Sequence, residues 1–86
     1  MPVKLVYFAW VRERIGSAEE TIELPESVST VADLLDHLEG RGEGYAAALE
    51  NPQVIRVALD HEHTPHDRPI GRDVREIALF PPMTGG

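Results

Sequence analysis

Apolar residues recur along the chain first with period 2, then with period 3.6, then with period 2 again, and the changes mark out its elements. "VKLVYFAW" (3–10) is rich in β-branched and aromatic residues and predicts a strand. Alternation places Val3, Leu5 and Tyr7 on one face and Lys4, Val6, Phe8 and Trp10 on the other. Lys4 marks the second face as the wetter one, so Phe8 and Trp10 become large apolar groups outside the core. "VRERIG" (11–16) predicts a short helical turn closed by Gly16. "ETIEL" (20–24) alternates again and predicts a second strand, stopped by Pro25. Val31, Leu34, Leu35 and Leu38 then form one helical stripe. Thr30 and Asp33 have capping-box spacing, with Asp in place of the usual Glu or Gln. Gly40 supplies a C-cap, so the main helix runs from about Thr30 to Glu39. "RGEG" (41–44) breaks the pattern before "YAAALE" (45–50), which has room for one or two further helical turns. "VIRVAL" (54–59) predicts a strand, "DHEHTPHDRP" (60–69) a polar excursion with room for a short hairpin, and "REIALF" (75–80) the last strand. In that strand Ile77 and Leu79 share one face, and Ala78 and Phe80 share the other.

Strand, strand, helix, then strands is the order of a two-layer α+β domain. The helix lies between strands able to pair in parallel, and such crossovers are right-handed. One sheet face is then covered by the helix and the other left open. Phe8 and Phe80 both fall on the open side, as a docking patch. The competing expectation is that "RGEGYAAALE" or a loop covers them.

At 86 residues the chain supports one core. The expected division is one folded domain over residues 1–80 and a flexible tail over residues 81–86. The absence of cysteine excludes disulfides, thiolate catalysis and cysteine zinc sites, so any sulfur chemistry cannot use a side-chain thiol. A net charge of -7 argues against nucleic acid and favours encounter with a basic protein surface. No apolar run approaches the ~20 residues of a membrane span, and the start lacks the pattern of a signal peptide. The expected location is the cytoplasm.

Catalytic groupings are sparse. Ser17, Ser27 and Ser29 fall in turn or cap contexts outside any Gly-x-Ser-x-Gly, and Gly40, Gly42 and Gly44 lack the lysine and the preceding strand of a phosphate loop. His61, His63 and His66 are the one metal-like cluster, yet their stretch is polar and contains a proline, which favours a solvated loop. His37 borders the helix stripe. The ending "FPPMTGG" (80–86) is the remaining candidate. Pro81 and Pro82 cannot donate ladder hydrogen bonds, so they stop pairing and stiffen the exit. Six residues beyond Phe80, at about 3.3 Å each, reach roughly 20 Å, far enough to enter another protein's cleft. Gly85 and Gly86 lack Cβ, leaving a thin backbone and an unshielded terminal carboxylate. That carboxylate becomes an acyl donor only once a partner activates it, for instance as a mixed anhydride with AMP.

With "YFAWVRERIG" at one end and "REIALFPPMTGG" at the other, the chain resembles, over essentially its whole length, the small subunits of molybdopterin synthase. These are ubiquitin-like β-grasp sulfur carriers. The resemblance implies a mixed sheet with one main helix packed on one face. It implies that Gly86 is adenylated by an E1-like enzyme using MgATP and then converted to a thiocarboxylate with sulfur from a donor protein. The large synthase subunit then takes the tail and uses the sulfur to build the dithiolene of molybdopterin. By the same resemblance Gly85 lets the tail thread, Phe8 and Phe80 dock on the large subunit, and Pro81, Pro82, Met83 and Thr84 bind in its cleft. This chain itself would bind no cofactor, metal, nucleic acid or membrane. His63 stands where relatives place an apolar contact, Asp60 replaces a common Asn, and "IGRDVREI" replaces the family's Asp-Gly-Asp-Glu turn. The alternatives are a thiamine-pathway carrier or a ubiquitin-like protein modifier, then a non-catalytic β-grasp adaptor, then a histidine metal module.

Overall fold

The computed structural model describes residues 2–82. Five strands form one sheet in the order β2-β1-β5-β3-β4. They are β1 (Pro2–Tyr7), β2 (Glu19–Glu23), β3 (Arg56–Leu59), β4 (Glu62–Thr64) and β5 (Glu76–Phe80). β1 pairs antiparallel with β2 and parallel with β5, from Lys4↔Glu76 to Tyr7↔Leu79. β3 runs antiparallel to both β5 and β4. The helices α1 (Ala9–Ile15), α2 (Val31–Glu39) and α3 (Glu43–Ala48) supply the second layer. The α+β expectation therefore stands, with the first and last strands side by side at the centre.

Local chemistry explains the helices. Thr30 Oγ1 accepts from the Asp33 amide and Asp33 Oδ2 accepts from the Thr30 amide, a reciprocal capping box. The amides of Val31 and Ala32, left without partners inside the helix, donate to the carbonyls of Arg68 and His66. The polar excursion thus returns across the start of α2. Gly16 ends α1 at φ 88, a left-handed conformation open to glycine at little cost. Gly44 lets α3 lie against α1, since a Cβ there would sit 2.7 Å from the Arg14 carbonyl oxygen. Gly44 is therefore a packing glycine.

Val31, Leu34, Leu35 and Leu38 of α2 are all buried, as the stripe requires, against Val3, Leu5, Tyr7, Val57, Leu59, Ile77 and Leu79 of the sheet. Several boundaries differ from the sequence expectation: α3 begins at Glu43, β3 at Arg56 and β5 at Glu76, and three further shifts have local causes. β1 ends at Tyr7, and Ala9, at φ 53, turns the chain into α1. Trp10 consequently sits on α1, beneath the Arg14 guanidinium at 4.4 Å, and is absent from the open sheet face. Val54 belongs to a 3-10 turn, Pro52–Val54, because the proline favours a turn start over a strand. Leu24 lies just past β2. The hairpin in the polar excursion is present, as β3 and β4 joined through Asp60 and His61, both at positive φ. Asp60 Oδ1 accepts from the amides of Arg75 and Glu76 and ties that turn to the start of β5.

One polar cluster joins β2 to the helical layer. Tyr7 and Tyr45 donate their hydroxyls to Glu20 Oε2, and Arg41 Nη1 lies 3.1 Å from Glu20 Oε1. Partial burial alone would raise the Glu20 carboxyl, but the hydrogen bonds of Tyr45 and Tyr7 and the charge of Arg41 outweigh it and lower its pKa. Burial, followed by the hydrogen bond to Glu20, pushes the Tyr7 phenol upward. A carboxyl depressed on folding contributes stability that is present above its ordinary pKa of about 4.3 and lost as pH falls through the lower folded value. Glu20→Gln is expected to cost about 1 kcal/mol at neutral pH, given charged hydrogen bonds at a partly wetted site. Denaturant titrations at neutral and acidic pH check it: the gap between wild type and variant should shrink below about pH 4.

Candidate functional site

The site begins with strand phase. Register places Lys4, Val6, Ala78, Ala58 and His63 on the sheet face away from the helices, with Phe8 and Phe80 beyond them at the end where β5 finishes. Val6, Ala78 and Ala58 stand in one cross-strand row and make a low floor. Phe8, Phe80 and His63 rise beside it. The Phe8 and Phe80 rings meet edge to face, with centroids 6.5 Å apart and planes at 80°. His63 meets Phe80 at 5.1 Å and 62°. Such edge contacts hold the rings in a defined arrangement while leaving their outer surfaces free. Phe8 is 48% exposed, and Phe80 is half-buried.

α3 packs with α1 and α2 in the helical layer, and among the described residues Phe8 keeps 48% of its surface exposed. The open-face expectation for Phe8 and Phe80 holds, although Phe8 achieves it as the extended residue preceding α1 and not as a strand residue. Phe80 is the last residue of the ladder, opposite Arg56. The last link from β1 is the Phe8 amide donating to the Leu79 carbonyl. Pro81 and Pro82 follow without strand structure, and neither has an N–H to donate to a ladder. The polypeptide thus leaves the sheet beside the aromatic cluster. Met83, Thr84, Gly85 and Gly86 lie outside the described residues.

The histidines do not converge. His61 Nε2 lies 3.5 Å from Glu76 Oε2, His63 is on Phe80, and His66 Nε2 lies 2.7 Å from the Ile55 carbonyl oxygen, to which it donates. Among the described residues no group of three or more His, Cys, Asp or Glu is placed to hold a metal ion. The role of His63 as the flank of Phe80 could have been found in the sequence: the hairpin register puts it opposite Ala58 on the open face. Among the described residues no helix is long and apolar enough to cross a membrane.

A mixed five-stranded sheet with a parallel central pair, one helical layer and a bare aromatic face beside the strand that ends the domain defines a ubiquitin-like β-grasp protein. The sequence matches the ThiS family over residues 5–86, and the chain belongs to that family. It is 33% identical over 84 residues to the molybdopterin synthase sulfur carrier subunit of Escherichia coli, covering 98% of this chain and 99% of that one. It is 34% identical over 90 residues to the protein of the same description from Chlamydomonas reinhardtii, with 100% of both covered. Among solved structures it is similar to small archaeal modifier protein 1 of Haloferax volcanii, with a TM-score of 0.70, 27% identity and 100% of both chains covered.

Proposed function

We propose that this chain is the sulfur carrier subunit of a molybdopterin synthase, holding sulfur on Gly86 as a C-terminal thiocarboxylate. The observation that carries the reading is the exposed Phe8–Phe80–His63 cluster beside the point where Pro81 leaves the sheet, in a ThiS-family chain similar end to end to such carriers. A partner gripping the aromatic patch would hold the root of the tail in a fixed place. Pro81 and Pro82 then set its direction, Met83 and Thr84 supply length, and Gly85 leaves the path to the carboxyl of Gly86 narrow. Chemistry at that carboxyl needs no side chain of this protein. Its oxygen attacks the α-phosphorus of MgATP held by an E1-like partner and pyrophosphate leaves. Hydrosulfide delivered by a donor protein then attacks the acyl carbon, AMP leaves with the departing oxygen, and the S–H proton is lost to solvent, leaving the thiocarboxylate. The large synthase subunit receives the loaded tail for dithiolene formation. The chain binds no cofactor of its own in this scheme, and its working location is the cytoplasm.

The test is intact-mass measurement of the chain after incubation with the activating enzyme, MgATP and a sulfur source. One terminal oxygen should be exchanged for sulfur; an unchanged mass under conditions that load a known carrier would overturn the reading. The similarity to an archaeal modifier protein favours a second use of the same tail, acylation of lysines. Isopeptide-linked conjugates of Gly86 recovered from the native host would establish it.

Phe80→Ala should keep its fold, because Phe80 packs on the outer face and not among the buried residues of the core. Its affinity for the large subunit should fall by about 2 kcal/mol or more, as for a central aromatic anchor. Calorimetric titration measures this, and unchanged affinity in a folded variant would remove the patch from the docking scheme.

A further inference from the structure

The aromatic end of the open face also carries a free cation. Arg56 stands directly opposite Phe80 in the β3–β5 ladder, so the two side chains leave the same face of the sheet with Cβ atoms about 5 Å apart. Arg56 is exposed and its side chain has no ion pair or hydrogen bond among the described residues, in a chain with 15 acidic side chains against 8 Lys and Arg. The other basic residue on this face, Lys4, is 3.4 Å from Glu19. The acidic residues of the face lie elsewhere: Glu76 and Glu23 at the opposite end, and Glu19 on the β2 edge. Among the described residues near Phe80 none neutralises Arg56.

Any surface that covers Phe80 must also cover Arg56, one strand away. Removing a guanidinium from water without a counter-charge is costly, whereas a planar carboxylate can pair with it through two parallel hydrogen bonds. We infer that the partner docking on this face presents an Asp or Glu carboxylate to Arg56, at the rim of the apolar pocket that receives Phe80. This deepens the docking reading above and rests on it. Recognition is thus locally opposite in sign to the protein's net charge of -7. Arg56 becomes a register mark: it rejects apolar grooves that accept Phe8 and Phe80 but leave the guanidinium unpaired.

The test is titration of the large subunit with wild type, Arg56→Ala, Arg56→Lys, Arg56→Glu and Phe80→Ala, each checked for an unchanged thermal midpoint. Arg56→Ala should bind about 10-fold and Arg56→Glu about 100-fold more weakly, through loss and then reversal of the charge pair. Arg56→Lys should fall between wild type and Arg56→Ala, since it keeps the charge and loses the fork. Added salt should weaken wild type more than Arg56→Ala. If Arg56→Ala and Arg56→Glu bind within about twofold of wild type, or Arg56→Glu binds more tightly, while Phe80→Ala is impaired, the carboxylate is refuted and the docking reading stands. If Phe80→Ala also binds like wild type, the docking reading itself fails.

Discussion

Deleting Gly86, or adding one residue after it, is expected to abolish ATP-dependent sulfur loading while leaving the thermal midpoint nearly unchanged. The two halves of this result have separate causes. Stability resides in the core, and among the described residues the last buried side chain is Leu79. Changes at residue 86 leave that core as it is. Reactivity depends on one carboxyl carbon arriving at a fixed place. Deletion withdraws it by about 3.3 Å and addition carries it past the site by as much, when reacting atoms need to approach within about 3–3.5 Å. Intact-mass analysis of both variants after incubation with the activating enzyme, MgATP and sulfur source is the measurement. Loading of the deleted chain at the wild-type level would show that the terminal glycine is not the acceptor.

The elements that could be read from the sequence are those whose causes are local. α2 declares itself because its capping box spans four residues and its stripe repeats every turn. β5 declares itself by strict alternation, and Phe80 falls on the open face as the phase of Ile77 and Leu79 requires. The misread boundaries lie where a single backbone conformation overrides side-chain preference. Trp10 looks like a strand residue until Ala9 turns left-handed and starts a helix. The Glu20 cluster has no local signature because its partners Arg41 and Tyr45 are 21 and 25 residues away. A signal for it exists: alternation puts Glu20 on the same face as Ile22, and a carboxylate on an inner face requires donors. Arg56 is locally illegible for a related reason. Its meaning depends on facing Phe80, a pairing of strands far apart in sequence that no local pattern displays.

The two sheet faces divide folding from docking. Leu34 is fully buried on α2, in the same cluster as Leu5, Ile77 and Leu79. Leu34→Ala should destabilise the domain by about 3–5 kcal/mol, since it removes apolar contact and leaves a cavity beneath a helix that can collapse only partly. A domain of this size holds only roughly 4–13 kcal/mol in total, so the loss is a large fraction of its stability. Each kcal/mol lowers the midpoint of such a domain by about 4–8 °C, so a fall of roughly 12 °C or more is expected by calorimetry. Asp36→Ala, on the exposed side of the same helix, is the matched control and should change stability by less than about 0.5 kcal/mol. Leu34 touches neither the aromatic patch nor the tail exit. Below its lowered midpoint the Leu34→Ala chain should therefore still load sulfur and still bind the large subunit, whereas Phe80→Ala should remain stable and bind weakly. A Leu34→Ala variant that stays folded yet loses docking would show that the helix layer and the open face are coupled, and the separation of folding from function would have to be abandoned.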